Sequence, residues 1–321
     1  MLPSFLSIAS LYNGYLRRCF AAAGLSSQII NVDDETTVHF WGPEPKPRNE
    51  TNPNQKPSLV LIHGFGPSAI WQWRQQVQFL APHFNLYVPD LIFFGESTTK
   101  SKERSETFQA ACVGKLLDKL EVKRFHVVGT SYGGFVAYHL AKNFGEERVE
   151  KVVIASSGVN MKKNHNVALL QRAELDKIED LMLPSTPGHL RKLMSLSISK
   201  PPPTMVPDFF LKDFLNKLYS ENRKEKMELL VGLSLGREDS PDISPLKQVG
   251  IVLYCIYLPQ EVLVIWGEND QVFPVQIAKE LKEVISKKAR LEFIKEASHV
   301  PQIEKPGEFN NIVLNFLRSS S

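Results

Sequence analysis

The segment Val127-Val128-Gly129-Thr130-Ser131-Tyr132-Gly133-Gly134 constrains this chain more than any other. An apolar run of strand character leads into it, and a helical pattern begins just beyond it, near Phe135. A serine held between a strand and a helix must occupy a very tight turn. Glycines at 129 and 133 remove the side chains that would collide there. Such a turn lifts the Ser131 hydroxyl above the sheet. It also sets the positive end of the following helix beneath any negative charge that develops nearby. G-x-S-x-G alone occurs by chance; the strand before it and the helix after it give it chemical meaning.

The surrounding chain repeats the same alternation. Short apolar runs occur at 58–62 (SLVLI), 85–88 (NLYV), 125–128 (FHVV), 152–155 (VVIA), 262–266 (VLVIW) and 291–294 (LEFI). Continuous apolar runs suit strands of a parallel sheet buried on both faces. Residues 107–120, 135–144 and 275–285 carry apolar residues at helical spacing between them. The pattern predicts an α/β architecture with right-handed crossovers. Residues 158–246 break the alternation: they are helical and charged, interrupted by KPPPTMVP at 200–207. We read them as an inserted helical cap whose Leu, Met and Phe residues mostly pack, with some lining a pocket. The core then comprises residues 30–157 and 247–321, preceded by a segment 1–29.

A serine hydroxyl needs a base to become a nucleophile. His299 follows the LEFI run in a loop just before a terminal helical pattern at 309–317, where a base is expected. The acid that orients it should end the preceding strand, and V-I-W-G-E-N-D offers Asp270, with Glu268 as a rival. The order Ser, Asp, His differs from those of chymotrypsin and subtilisin. His63-Gly64-Phe65-Gly66 directly follows the SLVLI run. A glycine-rich turn there would aim a backbone N–H at a developing oxyanion, so we expect the N–H groups of Phe65 and Tyr132 to serve, with Gly64 and Gly66 as turn glycines. His63 is then a structural residue that orients the turn, and Trp71 and Trp73 are packing residues, one of which could face the pocket.

Several chemistries are excluded. No metal-ligand spacing, phosphate-cradling loop or dinucleotide fingerprint is present, so neither metal nor cofactor is expected. The net charge is only +3 and no dense Lys/Arg run occurs, which argues against nucleic acid. Cys19, Cys112 and Cys255 lie far apart, as expected of buried thiols in a reducing compartment. The first acidic residue is Asp33, and the preceding segment carries Arg17 and Arg18 among Leu, Tyr and Phe. It reads as an amphipathic helix packed on the protein, with targeting or peripheral membrane contact as alternatives. The cytoplasm is the expected location, with a plastid or a membrane surface as alternatives. Residues 42–56 read as an exposed loop, and the sequon at Asn49 as a chance match.

From about Ile30 to Leu317 the chain resembles the α/β-hydrolase superfamily, through H-G-F-G, P-D-L-x-x-x-G-x-S at 89–97, G-T-S-Y-G-G, W-G-E-N-D and the late S-H. Through FWGPEPKP, DLIFFGES and GTSYGGFVAY it is similar to plant members related to ABHD6-type monoacylglycerol lipases. The resemblance implies an α/β-hydrolase fold: a mostly parallel central sheet flanked by helices, with an inserted cap. It implies a serine esterase or lipase acting through an acyl-enzyme on Ser131, on a small apolar ester. Carbon–carbon bond hydrolases share the same triad and are the alternative. A ligand receptor or an inactive scaffold is the alternative of another class. Epoxide hydrolases use an aspartate where this chain has Ser131. One departure is Val249 to Gln260 (VGIVLYCIYLPQ), an apolar stretch where the family passes quickly into the W-G-x-x-D strand. It reads as an insertion from an alternative or retained exon that bears on Asp270 and on activity.

Overall fold

Among the described residues nine strands make one sheet: β1 (Leu25–Asn31), β2 (Thr36–Pro43), β3 (Ser58–Ile62), β4 (Asn85–Pro89), β5 (Thr98–Thr99), β6 (Phe125–Thr130), β7 (Val149–Ala155), β8 (Glu261–Gly267) and β9 (Ala289–Ile294). The computed structural model describes residues 7–44, 56–201, 206–234 and 256–319. The strand order is β1-β2-β4-β3-β6-β7-β8-β9, with β5 paired to β2. All six apolar runs are strands, and they pair parallel from β4 to β9. The antiparallel β1, β2 and β5 extend one edge and were not expected. Residue 30 lies inside β1, so the division drawn there cuts a strand of the central sheet. β9 closes the other edge, and only its last residue, Ile294, is buried, unlike a strand covered on both faces.

Side-chain alternation divides the core into two layers. Val60, Ile62, Val127, Ile154 and Val264 pack with one set of helices, and Leu59, Leu61, Val128, Val153 and Ile265 with the other. The helices are α1 (Ile8–Ala22), α2 (Ala69–Leu80), α3 (Glu106–Lys119), α4 (Tyr132–Arg148), five helices α5 (Lys163–Ala173), α6 (Ile178–Met182), α7 (Pro187–Ser197), α8 (Asp208–Leu218) and α9 (Arg223–Gly232), then α10 (Val275–Ile285), α11 (Pro301–Glu304) and α12 (Pro306–Arg318). α3, α4 and α10 cover the first layer; α1, α2 and α12 cover the second. α1 packs through fully buried Leu16 and Phe20, and Asp213 of α8 accepts hydrogen bonds from Ser7 Oγ and Ala9 N–H, both at 3.0 Å. Its Ile8, Leu11, Tyr12 and Tyr15 stay exposed. Among the described residues no helix is long and apolar enough to cross a membrane.

Helices α5 to α9 fall between β7 and β8, within the stretch read as a cap. Residues 235–255 lie outside the described residues, and with them most of Val249 to Gln260, Cys255 and the cap's end; so do residues 45–55, which hold the sequon. Where the chain is described again, Leu258 and Gln260 are buried, and β8 pairs along its whole length with β7 and β9.

Glu106 ties the end of α9 to the core. Its carboxylate, fully buried at the start of α3, accepts from Ser234 N–H at 3.0 and 3.1 Å and from Ser234 Oγ at 2.6 Å, with His139 at 3.7 Å. Burial alone would raise its pKa, but the hydrogen bonds from His139 and Ser234 hold it down at about 2. A carboxyl depressed in the folded state stabilises above its unfolded value, about 4.3, and loses that contribution as pH falls towards 2. Glu106→Gln should therefore cost about 2 kcal/mol at pH 7 in urea unfolding. The gap to wild type should shrink below pH 4 and nearly close near pH 2; an unchanged gap at low pH would contradict the assignment.

Candidate active site

The turn after β6 is as tight as the sequence requires. Ser131 takes φ 51° and ψ −120°, a conformation in which a side chain is strained, at a cost of about 1–3 kcal/mol. Its N–H donates to Ala155 O at 2.9 Å, which fixes it level with the end of β7. The flanking glycines are needed by contact. A Cβ on Gly129 would lie 2.1 Å from Gly133 O, and one on Gly133 would lie 2.3 Å from Ile62 O.

Three side chains from distant parts of the chain meet at this end of the sheet. His299 Nε2 lies 2.9 Å from Ser131 Oγ, and His299 Nδ1 lies 3.0 Å from Asp270 Oδ2. The Asp270 side chain is fully buried, and its Oδ1 accepts from the N–H groups of Val272 and Phe273 at 2.9 and 2.8 Å. With one oxygen held by the backbone, the other is fixed towards the imidazole. Glu268, the rival, is exposed and outside this chain of hydrogen bonds. The histidine loop is held to α7: His299 N–H donates to Ser197 O at 3.1 Å, and Ser298 Oγ to Leu196 O at 2.9 Å.

The turn after β3 faces Ser131. A Cβ on Gly64 would sit 3.1 Å from both Ser131 Cβ and Thr130 O, and Gly66 takes φ +133°. Tyr132 is the first residue of α4, so its N–H has no acceptor within the helix. The Phe65 ring meets that of Tyr132 edge-on at 5.7 Å. His63 is buried and holds this turn: Nδ1 donates to Gly64 O at 2.8 Å and Nε2 accepts from Leu91 N–H at 3.0 Å. Burial lowers its pKa, consistent with the neutral tautomer that this pair of bonds requires.

Of three supporting residues, Gln72 and Glu304 carried no sequence signal, and Asp90 was marked only as part of a motif. Gln72 clamps the turn, accepting from Gly64 N–H at 2.8 Å and donating to Gly64 O and Pro67 O at 3.0 and 2.7 Å. Asp90, within the P-D-L motif, accepts from Ala69 N–H at 2.7 Å and pairs with His39 at 2.8 Å, which anchors the start of α2. Its burial would raise its pKa, but the His39 hydrogen bond and charge outweigh that and hold it low. Glu304 accepts from Ser298 and Ser199 N–H, both at 2.6 Å, joining the histidine loop to the chain after α7.

Above Ser131 lies a cavity of about 510 Å³. Its walls are mostly apolar: Met182 from α6, Leu190, Leu193 and Met194 from α7, Phe210 and Phe214 from α8, Phe65 and Trp71 from the turn after β3 and from α2, and Ile8 and Tyr12 from α1. Trp71 faces this cavity, whereas Trp73 is fully buried in the core. Among the described residues, no Lys or Arg lines the cavity.

A sheet of this order, crowned by a serine on a strand–helix turn, defines an α/β-hydrolase. The sequence model of the alpha/beta hydrolase fold family matches residues 57–306, and the chain belongs to that family. It is similar to the pimeloyl-[acyl-carrier protein] methyl ester esterase of Vibrio vulnificus (strain YJ016), with 26% identity over 82% of this chain and 94% of the relative. It is similar to monoacylglycerol lipase ABHD6 of Homo sapiens, with 24% identity over 98% and 87%. It is also 24% identical, over 91% and 96%, to the 2-hydroxy-6-oxononadienedioate/2-hydroxy-6-oxononatrienedioate hydrolase of Escherichia coli O139:H28 (strain E24377A / ETEC).

Proposed function

We propose that the protein is a serine hydrolase that cleaves carboxylic esters with an apolar acyl chain. The observation that carries this reading is the hydrogen-bonded chain Ser131–His299–Asp270 at the floor of an apolar cavity. Ser131 Oγ attacks the ester carbonyl carbon while His299 Nε2 takes its proton. Asp270 accepts from His299 Nδ1 and stabilises the imidazolium. The oxyanion is held by the N–H groups of Phe65 and Tyr132 at the positive end of α4. Collapse expels the alcohol, which receives its proton from His299, and leaves an acyl-enzyme. Water, deprotonated by the same imidazole, then releases the acid and restores Ser131.

The cavity lining favours esters over the carbon–carbon bond reading. The Escherichia coli relative is named for a dioate, and a dianionic substrate would need cationic partners. Among the described residues, neither Lys nor Arg lines this cavity. It suits a neutral ester whose chain gains from leaving water, up to about 0.8 kcal/mol per buried methylene. A series of p-nitrophenyl esters tests this. The kcat/KM should rise at least tenfold or so from acetate to octanoate, even at a fraction of that gain per carbon. Acetate as the best substrate would overturn the apolar assignment.

A further inference from the structure

The cavity over Ser131 contains few polar groups, and most are committed. The amide of Gln72 is spent on the turn, and the carboxylate of Asp213 on the start of α1. Thr130 Oγ1 and the Gln302 amide are sealed from the cavity space. Two buried hydroxyls remain, on Tyr219 and Ser197. Both residues line the cavity, are at least nine-tenths buried, and make no side-chain hydrogen bond among the described residues. Neither hydroxyl is sealed off as the Thr130 hydroxyl and the Gln302 amide are.

Their positions are not arbitrary. Tyr219 follows α8, packed among Leu183, Leu190, Leu211 and Leu215, a setting that would suit phenylalanine. Its hydroxyl lies 3.4 Å from where a Cβ on Gly66 would stand, so it overhangs the turn that carries the Phe65 N–H. Burial raises its pKa well above the usual phenol range, so it remains a proton donor. Ser197 ends α7, and its carbonyl receives the backbone N–H of His299, which ties it to the loop that carries the imidazole. A buried hydroxyl left without a partner is costly, and an apolar replacement of the same shape would avoid that cost.

We infer that Tyr219, seconded by Ser197, is a specificity-determining residue that hydrogen-bonds a hydroxyl on the alcohol half of the ester. The inference rests on the reading of Ser131 as the acylated nucleophile. The oxyanion already has two backbone donors, and the rest of the cavity wall is suited to the acyl chain. A plain alkyl alcohol leaves both hydroxyls unpaired; an alcohol with a second hydroxyl satisfies them.

The test is a matched pair, 2-hydroxyethyl octanoate and propyl octanoate, which differ by a hydroxyl in place of a methyl. Wild type should favour the hydroxyethyl ester by about tenfold or more in kcat/KM, the discrimination expected of one or two neutral hydrogen bonds. In Tyr219→Phe that preference should fall towards one, and Ser197→Ala should lower it less. The Tyr219→Phe protein should melt at or slightly above the wild-type temperature, which separates loss of recognition from loss of fold. No wild-type preference, or the same preference in Tyr219→Phe, overturns the inference. Equal loss on both esters also overturns it, since that is the mark of an oxyanion or merely structural role. Fluorophosphonate labelling at Ser131 keeps these outcomes apart from failure of the hydrolase reading: labelled protein without the preference refutes only the role of Tyr219.

Discussion

Ser131→Ala should lower kcat/KM on p-nitrophenyl octanoate by about 10⁴- to 10⁶-fold and abolish fluorophosphonate labelling, while the protein unfolds at or near the wild-type urea concentration. The size of the effect follows from the geometry. The hydroxyl lies 2.9 Å from His299 Nε2, and removing it leaves the proposed base with nothing to activate but water. His299→Ala should cost a similar factor, and the double variant should be little worse than either single one, because the two act as a unit. Asp270→Asn should cost about 10⁴-fold, since an amide in place of the carboxylate favours the wrong tautomer of His299. Glu268→Gln supplies the contrast: this exposed side chain lies outside the network and its loss should change the rate less than about twofold. Retention of a tenth of wild-type activity in Ser131→Ala would sink the proposed mechanism.

The parts of the molecule legible in the sequence are those whose residue types are forced by short-range geometry. The parallel strands β3, β6, β7 and β8 are covered on both faces, so their sequences are continuous apolar runs. β1 is not: LSSQIIN alternates buried or half-buried with more exposed positions at the sheet edge, and its polar residues hide it. The meeting of Asp270 and His299 beside Ser131 was legible because the two residues follow β8 and β9, whose ends open on the same edge of the sheet. The roles of Gln72, Glu304 and, beyond its place in the P-D-L motif, Asp90 were not. Each acts by accepting from a backbone N–H that only the folded chain brings near, and no periodicity marks such a residue. The role of α1 was half legible: its Leu and Tyr residues give an amphipathic pattern, but only the structure shows which side meets the protein.

Gly133→Ala should be among the most damaging single methyl groups that can be added near the site. Its Cβ would lie 2.3 Å from Ile62 O, 2.5 Å from His63 O and 2.8 Å from Ile62 C, all of them backbone atoms. No rotamer change relieves such a contact, so either the start of α4 or the end of β3 must move. Both movements matter, because α4 begins with the Tyr132 N–H and β3 leads into the turn that carries the Phe65 N–H. A shift of even half an ångström would pull the two proposed donors away from the point at which an oxyanion would form, where their value depends on fixed geometry. We expect a loss of about 3–5 kcal/mol in stability, the upper range for overpacking against rigid atoms, together with a fall in kcat/KM of roughly 100-fold or more in the protein that remains folded. Gly14→Ala is the control, since nothing lies within 4 Å of that Cβ on α1 and helix propensity alone should stabilise by up to about 1 kcal/mol. Urea unfolding measures the first quantity, and steady-state kinetics normalised to the folded fraction measures the second. If the Gly133→Ala protein were as stable and as active as wild type, the close approach of α4 to the turn after β3 could not be what holds the two donors in place.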